Sequence, residues 1–170
     1  RISQLNFENV GINADQIVAT GDEAEQLIKD AINYGTLCVS AEAVGCMESC
    51  YLKTVEYTKS REQFGQPISN FQVLQHKMVD MFIEAELCKS LLYKSMIDMH
   101  ENNDSKYRSV SALKSQVGLS GKKVGEDAVQ LHGGMGVSEE MSIGHYLKRF
   151  ISIDSQFGNS HFHLKKFNNS

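Results

Sequence analysis

Proline is nearly absent from this sequence of 170 residues, which contains a single one, Pro67. Average proteins contain about 5% proline, and proline breaks the interior of a helix, so its scarcity favours long uninterrupted helices. Long apolar runs are missing as well. None approaches the ~18 residues of a membrane-spanning helix, so we predict no membrane span. No secretory signal peptide is visible. The chain begins at Arg1 rather than methionine, and we therefore expect a piece of a longer protein.

The cysteines show no pattern of a metal site or a disulfide framework. They form no Cys-x-x-Cys pair and have no histidine at zinc spacing. Two of them, Cys46 and Cys50, share one helix face, where helix geometry disfavours a bridge. We therefore expect reduced cysteines and a cytoplasmic location for all four, which are Cys38, Cys46, Cys50 and Cys88.

The charge is mildly acidic and dispersed along the chain. The sequence has 17 basic and 21 acidic residues, a net charge of −4, and no basic stripe. Phosphate backbones require an excess or a cluster of positive charge, so we predict no nucleic-acid partner. Hydrophobic residues make up 41% of the chain, which is enough to build a core.

Helical periodicity dominates from about Thr36. One apolar face predicts a helix ending near Ser60. A second, methionine-rich face runs from Phe71 to Met99 in steps of three or four, and we expect it to be core. Pro67 is placed to start this helix, because proline suits a first helical turn. The sequence thus predicts an all-α, antiparallel up-and-down four-helix bundle.

The later part of the chain continues the helical pattern. A third apolar face ends at His132, and Asp104 or Ser105 is placed to cap its start. Ser138 is placed to cap a shorter helix, and a final apolar segment follows.

The N-terminal segment has a different period. In residues 2–10, Leu5 and Phe7 alternate with polar neighbours, which is typical of a strand. No partner strand follows, and a lone strand leaves its backbone groups unpaired. We therefore predict that residues 1–20 are the end of a missing β-domain and a linker, and that residues 21–170 are the helical bundle.

Chemistry is hard to assign from these patterns alone. The Glu-x-x-His pairs of a di-iron bundle are absent, so we predict no metal site. Gly133-Gly134-Met135-Gly136 follows a helix rather than a strand, which favours a helix cap and turn over a dinucleotide motif. Arg61 is explained as a cation at a helix C-terminus. His161 and His163 are expected in a solvated tail.

Two longer segments say more when they are taken together. The first is Tyr-Thr-Lys-Ser-Arg-Glu-Gln-Phe-Gly-Gln-Pro-Ile-Ser-Asn-Phe-Gln at residues 57–72. The second is Asp-Ala-Val-Gln-Leu-His-Gly-Gly-Met-Gly at residues 127–136, followed by Glu140 and Arg149. Both resemble the C-terminal helical domain of the acyl-CoA dehydrogenases. Residues 5–10 look like the end of that family's middle β-domain, so the resemblance covers essentially the whole chain.

The resemblance implies an FAD-dependent oxidoreductase of fatty acid metabolism. The family desaturates an acyl-CoA thioester between its α and β carbons. A carboxylate removes the α proton while the β hydride passes to the flavin, and the electrons leave through an electron-transfer flavoprotein. The family also implies an oligomer, in which this chain pairs with copies of itself or with chains of the same fold.

The resemblance also implies which residues contact FAD. Arginine suits a pyrophosphate, an aromatic ring can lie against a nucleotide, and glycine permits close backbone approach. The matching positions are Arg61, Gln63, Phe64, Phe71, Gln72, Gln130, Gly133 and Gly134.

The catalytic base is where the resemblance fails. Counting from Arg149 places the family's glutamate at Gly158, and its alternative position falls on Gly35, beside Thr36. Asp154 is one helical turn away with a shorter side chain, so the catalytic residue is unknown.

The C-terminal segment offers one explanation. Residues 151–164 look like small subunits of two-component acyl-CoA dehydrogenases, in which a partner chain supplies the glutamate. The alternative is a catalytically silent assembly subunit of the same fold. A third reading is a helical interaction bundle unrelated to flavin. We also expect this piece alone to bind FAD weakly or not at all, and to dimerise.

Overall fold

Long helices account for most of the chain in this computed structural model, which describes residues 3–169. The helices are α1 (Gly21–Ser60), α2 (Gln72–His100), α3 (Lys106–His132), α4 (Ser142–Ser155) and α5 (Ser160–Asn168). Between α1 and α2 lies a small antiparallel hairpin of β1 (Glu62–Gln63) and β2 (Gln66–Pro67). Short 3-10 turns cover Ala14–Gln16, Ile68–Asn70 and Gly133–Val137. The predicted all-α bundle is confirmed.

The chain divides into two compact units, with the division between Ile32 and Asn33. In the first unit, a backbone N–H of Asn13 donates to the side chain of Gln16 at 2.7 Å and closes the first 3-10 turn. The predicted strand over residues 2–10 is wrong for residues 3–10, which contain no strand. Leu5 is 76% exposed there, and no described strand is available to take up its backbone hydrogen bonds. Arg1 and Ile2 lie outside the described residues.

The second unit contains the core. Its apolar faces meet at residues from α1, α2, α3 and α4, and the members include Met47, Met81, Leu113, Val124, Ile143 and Phe150. The methionine-rich face of α2 is core at Met81 and Met99, whereas Met96 is 48% exposed. All four cysteines are free thiols. None of the helices in residues 3–169 combines the length and apolar character needed to cross a bilayer.

Three helix boundaries differ from the prediction. Helix α1 begins at Gly21 rather than near residue 36, because Leu27, Ile28 and Ile32 already follow helical spacing before Gly35. Helix α2 begins at Gln72, because Pro67 pairs with Glu62 in the hairpin instead of starting the helix. Helix α4 begins at Ser142 after a 3-10 turn, so Ser138 does not cap it.

Helix α3 begins where the sequence predicts, but the predicted side-chain cap is not formed. Ser105 precedes the helix as predicted, yet its side chain makes no capping hydrogen bond. The end of α3 at His132 is as predicted.

Candidate functional site

The C-terminal ends of α1 and α3 form a cleft of ≈ 450 Å³, which we call the α1–α3 cleft. The Tyr57 hydroxyl donates to the His132 carbonyl at 3.4 Å and ties the two helix ends together. Five of the residues predicted from sequence line this cleft, and they are Arg61, Gln63, Gln130, Gly133 and Gly134. Two segments about seventy residues apart in the chain thus line one cleft.

Arg61 follows the last residue of α1 with its backbone fixed on both sides. Its N–H donates to the Tyr57 carbonyl at 2.9 Å, and its carbonyl accepts from the Ile68 N–H at 2.8 Å. Its guanidinium makes no ion pair or hydrogen bond with any residue between positions 3 and 169. A guanidinium with free donors at an open cleft is suited to binding a phosphate or pyrophosphate in a bidentate manner.

The glycines at the end of α3 are open towards the cleft. Gly133 has φ +58°, in the left-handed region that favours glycine. A Cβ at Gly134 would meet no heavy atom within 4 Å, so packing inside the protein does not require glycine there. At Gly136, in contrast, a Cβ would lie 2.6 Å from the Val129 carbonyl oxygen. Gly134 therefore leaves room for a ligand, whereas Gly136 is needed for packing.

His132 is a residue of this cleft that the sequence reasoning missed. It is 4% exposed, and its ring stacks on Tyr57 with centroids 4.2 Å apart. Its Nδ1 donates to the Ala128 carbonyl at 2.8 Å. Burial lowers the pKa of the imidazole, so the ring is neutral near pH 7. The available signal was a histidine in the last helical turn before two glycines.

The other three predicted residues lie outside the cleft. Phe64 is 92% exposed at the tip of the β1–β2 hairpin, where it has φ +56° and precedes Gly65. Its ring meets Phe71 edge to face at 6.1 Å. Gln72 is exposed at the start of α2. Their contacts with a cofactor stay a prediction.

A second cleft of ≈ 370 Å³ shares Tyr57 and His132 with the first. Its lining carries three further charged side chains, Lys53, Glu56 and Glu140. Across residues 3–169, no group of three or more potential metal ligands converges.

The end of α4, the start of α5 and the turn between them, residues 154–160, contain the position where the family's base was expected. Gly158 has φ +97°, a conformation that side chains rarely adopt. The other base position, Gly35, packs against the neighbouring residue of this turn: a Cβ at Gly35 would lie 2.7 Å from Cζ of Phe157. Neither position holds a carboxylate, and the Phe157 ring fills the space above Gly35.

Two carboxylates of this part of the fold already have partners. Asp154 accepts the Ser160 N–H at 2.9 Å, which secures the start of α5. Glu42 accepts from Arg149 at 2.5 and 2.7 Å, and this pairing holds the pKa of the Glu42 carboxyl below its usual range. Both side chains have structural partners, which argues against either as a free base.

Two buried polar side chains donate hydrogen bonds to the backbone of the same turn. Lys114 is fully buried, and its ammonium donates to the carbonyls of Asp154 at 3.0 Å and Gly158 at 2.8 Å. His163, predicted to lie in a solvated tail, is instead 2% exposed. Its Nε2 donates to the Phe157 carbonyl at 2.9 Å. The turn is therefore held by the chain itself.

Comparison with known proteins gives matches over most of the chain. Residues 26–165 match the family model described as acyl-CoA dehydrogenase, C-terminal domain. Among curated proteins, the chain is 29% identical over 147 residues to the short-chain specific acyl-CoA dehydrogenase of Megasphaera elsdenii.

Solved structures show the same fold. Butyryl-CoA dehydrogenase from Megasphaera elsdenii superposes with a TM-score of 0.90 and 25% identity over 96% of this chain. PigA in complex with FAD and proline superposes with a TM-score of 0.89 at 23% identity, also over 96% of this chain.

The chain is shorter than these proteins. The match to the Megasphaera short-chain relative spans 85% of this chain but 38% of that protein. The superpositions on butyryl-CoA dehydrogenase and PigA span 42% of each of those chains.

Proposed function

The chain belongs to the acyl-CoA dehydrogenase family, and we propose that it forms part of an FAD site in an enzyme that desaturates an acyl-CoA thioester. The observation that carries this proposal is the α1–α3 cleft, where the Arg61 guanidinium, which has no partner among residues 3–169, lines the same cleft as the open Gly134 backbone. This donor set fits the pyrophosphate of a dinucleotide. When bound, FAD would accept the hydride from the substrate's β carbon.

In this proposal the chain's own residues bind and orient the cofactor. Arg61 neutralises and hydrogen-bonds the pyrophosphate, and the backbone at Gly133 and Gly134 approaches it closely. The amides of Gln63 and Gln130 line the same cleft. Phe64, Phe71 and Gln72 would make further contacts next to the hairpin.

Proton removal is assigned to another chain. Gly35 and Gly158 carry no carboxylate, and Asp154 is engaged with the start of α5. We therefore propose a hetero-oligomer of chains of this fold, in which the partner supplies the base. Electrons would leave through an electron-transfer flavoprotein, and the assembly would be cytoplasmic.

An exposed apolar row on α2 supports assembly. Val79, Ile83 and Leu87 follow at four-residue spacing and are 54%, 46% and 51% exposed. Covering such a row removes apolar surface from water, which favours association. Sedimentation equilibrium should give a dimer or larger species, and a strictly monomeric profile would contradict this part of the proposal.

A second candidate function is a catalytically silent assembly subunit. The packing of Phe157 on Gly35 favours it, because the ring fills space next to both positions where a base was expected. This candidate predicts an assembled complex whose α1–α3 cleft carries no flavin.

Purification of the full-length protein, alone and with its candidate partner chain, separates the two candidates. The measurements are the flavin absorption spectrum and the acyl-CoA-dependent reduction of an artificial electron acceptor. Flavin with activity only in the presence of the partner supports the dehydrogenase, and a flavin-free assembly supports the silent subunit. Activity of the protein alone would show that our account of the missing base is wrong.

A pair of variants tests the cleft itself. Arg61→Met should weaken FAD binding at least 10-fold, because a charge-assisted contact to the pyrophosphate is lost. Lys59→Met, which removes a nearby exposed cation on the last turn of α1, is the matched control and should change affinity less than about twofold. Equal losses in the two variants would indicate a general charge effect and no specific site.

A further inference from the structure

A pocket of ≈ 350 Å³, which we call the α2–α5 pocket, lies at the other end of α3 from the α1–α3 cleft. Its lining comes from the last third of α2, the start of α3 and the last turn of α5. On α3, Ala112 of this pocket and His132 of the cleft are about twenty residues apart, which is roughly 30 Å of helix. We propose that the α2–α5 pocket binds a small monocarboxylate with an apolar body. The proposal does not depend on the cofactor site.

The walls of the α2–α5 pocket are apolar. Leu91 on α2, Ala112 on α3 and the Phe167 ring on α5 line it from three sides. Sites for small molecules have volumes of about 300–1,000 Å³ and mostly apolar walls with a few polar groups. The pocket therefore has the size and the lining of a site for a small, largely apolar ligand.

The two buried hydroxyls of the lining already have acceptors within the protein. Ser95 donates to the Leu91 carbonyl at 2.8 Å and to the Ser109 carbonyl at 3.0 Å. The Ser109 hydroxyl donates to the Asp98 carboxylate. Neither hydroxyl has a proton left for a ligand, so the interior of the pocket favours apolar groups.

Arg108 is the group that points to an anion. Its guanidinium lies over the Phe167 ring, 4.6 Å from the ring centroid. It makes no ion pair or hydrogen bond within the described chain, residues 3–169. A contact with a ring face uses none of the five N–H donors of a guanidinium, and two of them suit a bidentate carboxylate. The apolar wall and the open donors are thus in direct contact.

The charges around the pocket favour a ligand with one negative charge. The second cation of the lining, Lys94, donates to Asp98 at 3.0 Å. Hydrogen bonds from Ser109, Lys94 and Asn103 lower the pKa of the Asp98 carboxyl to about 2, so it is ionised at neutral pH and neutralises Lys94. Of these charged groups, the Arg108 guanidinium is the one left without a counter-charge, and a single carboxylate would neutralise it.

A protein segment fits the pocket less well than a small molecule. The exposed members of the lining are all polar, and they are Lys94, Ser105 and Arg108. Stable protein interfaces bury about 1,200–2,000 Å² around an apolar centre. A polar rim around one small apolar pocket instead suits a ligand that buries its body and leaves its charged end at the surface.

The test is a binding comparison in the full-length protein, with octanoate as the probe and calorimetry as the measurement. Arg108→Met should weaken octanoate about fivefold or more, because a charge-assisted contact is lost. Lys122→Met removes an exposed cation further along α3 and should change affinity less than about twofold. Ala112→Leu fills part of the pocket and should weaken binding as well. Thermal unfolding of each variant without ligand reports any loss of folding separately.

Two further probes separate the carboxylate from the apolar body. Octanol has the body without the charge, acetate has the charge without the body, and each should bind at least about fivefold more weakly than octanoate. Octanol that binds as tightly as octanoate overturns the carboxylate assignment. No binding of octanoate to wild type, or equal affinity in wild type, Arg108→Met and Ala112→Leu, overturns the site.

The same titration in the complex with the partner chain tests the protein alternative. Octanoate that binds the chain alone but not the complex would show that a partner covers the pocket, and would overturn the inference. The flavin spectrum of each sample reports the α1–α3 cleft separately, so flavin without octanoate binding contradicts this inference and leaves the proposed function standing.

Discussion

The α1–α3 cleft and the α4–α5 turn contain similar residue types, but these residues differ in whether the chain itself supplies their partners. Each combines a cation, flexible glycines and a buried histidine. In the cleft, Arg61 has no partner among the described residues, and a Cβ at Gly134 would meet open space. In the turn, Lys114 donates to two carbonyls, and a Cβ at Gly118 would collide with the Asp154 carboxylate and Ser160.

This difference shows how to tell a binding feature from a structural one. A residue whose donors and neighbours are all supplied by the chain is explained by folding. A charged residue without a partner, or a glycine with open space around it, indicates that a ligand or another chain binds there. By this criterion we propose the α1–α3 cleft as the cofactor site, whereas the α4–α5 turn, where the family's base was expected, is held by the chain's own residues.

Removing the buried ammonium should have the largest effect. Lys114→Met keeps a long side chain but leaves the Asp154 and Gly158 carbonyls without a donor, so the free energy of unfolding should fall by about 3 kcal/mol. Urea denaturation measures this change. Lys122→Met, on the exposed side of the same helix, is the control and should cost less than about 0.5 kcal/mol. Similar stability of the two variants would show that the turn does not depend on Lys114.

A matched pair of glycine substitutions sharpens the comparison. Gly118→Ala places a methyl group against Asp154 and Ser160 and should destabilise by about 2 kcal/mol, although alanine favours a helix. Gly134→Ala has open space and should change stability by less than about 0.5 kcal/mol while weakening FAD binding. Thermal unfolding and FAD titration measure the two effects. If Gly134→Ala lost stability and Gly118→Ala lost only FAD affinity, the roles that we assign to the α1–α3 cleft and the α4–α5 turn would be wrong.

The pH dependence of stability compares the two buried histidines. Burial lowers the pKa of both His132 and His163, so each is neutral when folded and takes up a proton more readily when unfolded. The unfolded state therefore binds more protons below the ordinary histidine pKa of about 6.5, and stability should fall as the pH is lowered from 7 to 5.

Single and double variants show which histidine causes this dependence of stability on pH. His163→Gln and His132→Phe should each remove part of it, and the double variant should remove more than either one. The charged groups facing His163 are Lys114, Lys166 and Asp154, and they remain in place in these variants. An unchanged slope in the double variant would mean that the dependence on pH arises elsewhere.

The smallest effect on stability is expected at the hairpin tip. Phe64 is almost fully exposed, so Phe64→Ala should change the free energy of unfolding by less than about 0.5 kcal/mol. If its ring lies against the nucleotide, FAD affinity should nevertheless fall severalfold. Loss of stability without loss of affinity would show that Phe64 supports the hairpin through Phe71 and does not contact the cofactor.

Periodicity was sufficient to predict much of the fold. The apolar faces of α2 and α3 could be counted, and the end of α3 at His132 followed from the glycines after it. The hairpin could not be found in this way, because Pro67 satisfies the rules for a helix start equally well. The early start of α1 was missed although Leu27, Ile28 and Ile32 follow helical spacing, because glycine at position 35 is unfavourable inside a helix and favours a break there.

The candidate site was predictable to the extent that short segments carry it. The residues before the hairpin and the residues at the end of α3 are each local in sequence, so the resemblance could be recognised from them, and five of the positions that it implied line one cleft. The burial of Lys114 was not predictable, because its carbonyl partners are 40 and 44 residues away in sequence. That Nε2 of His132 has no partner within residues 3–169 depends on a side-chain orientation that sequence does not specify.

The buried ammonium of Lys114 also has a consequence for the order of assembly. A charged group leaves water readily only when its acceptors are in position, and here those acceptors become available only after α4 and the following turn have docked. Helices α3, α4 and α5 are therefore expected to open and close as one cooperative unit in hydrogen exchange. The amides of the β1–β2 hairpin can exchange independently of that unit. The region that would contact the nucleotide can therefore open locally while α3, α4 and α5 stay packed.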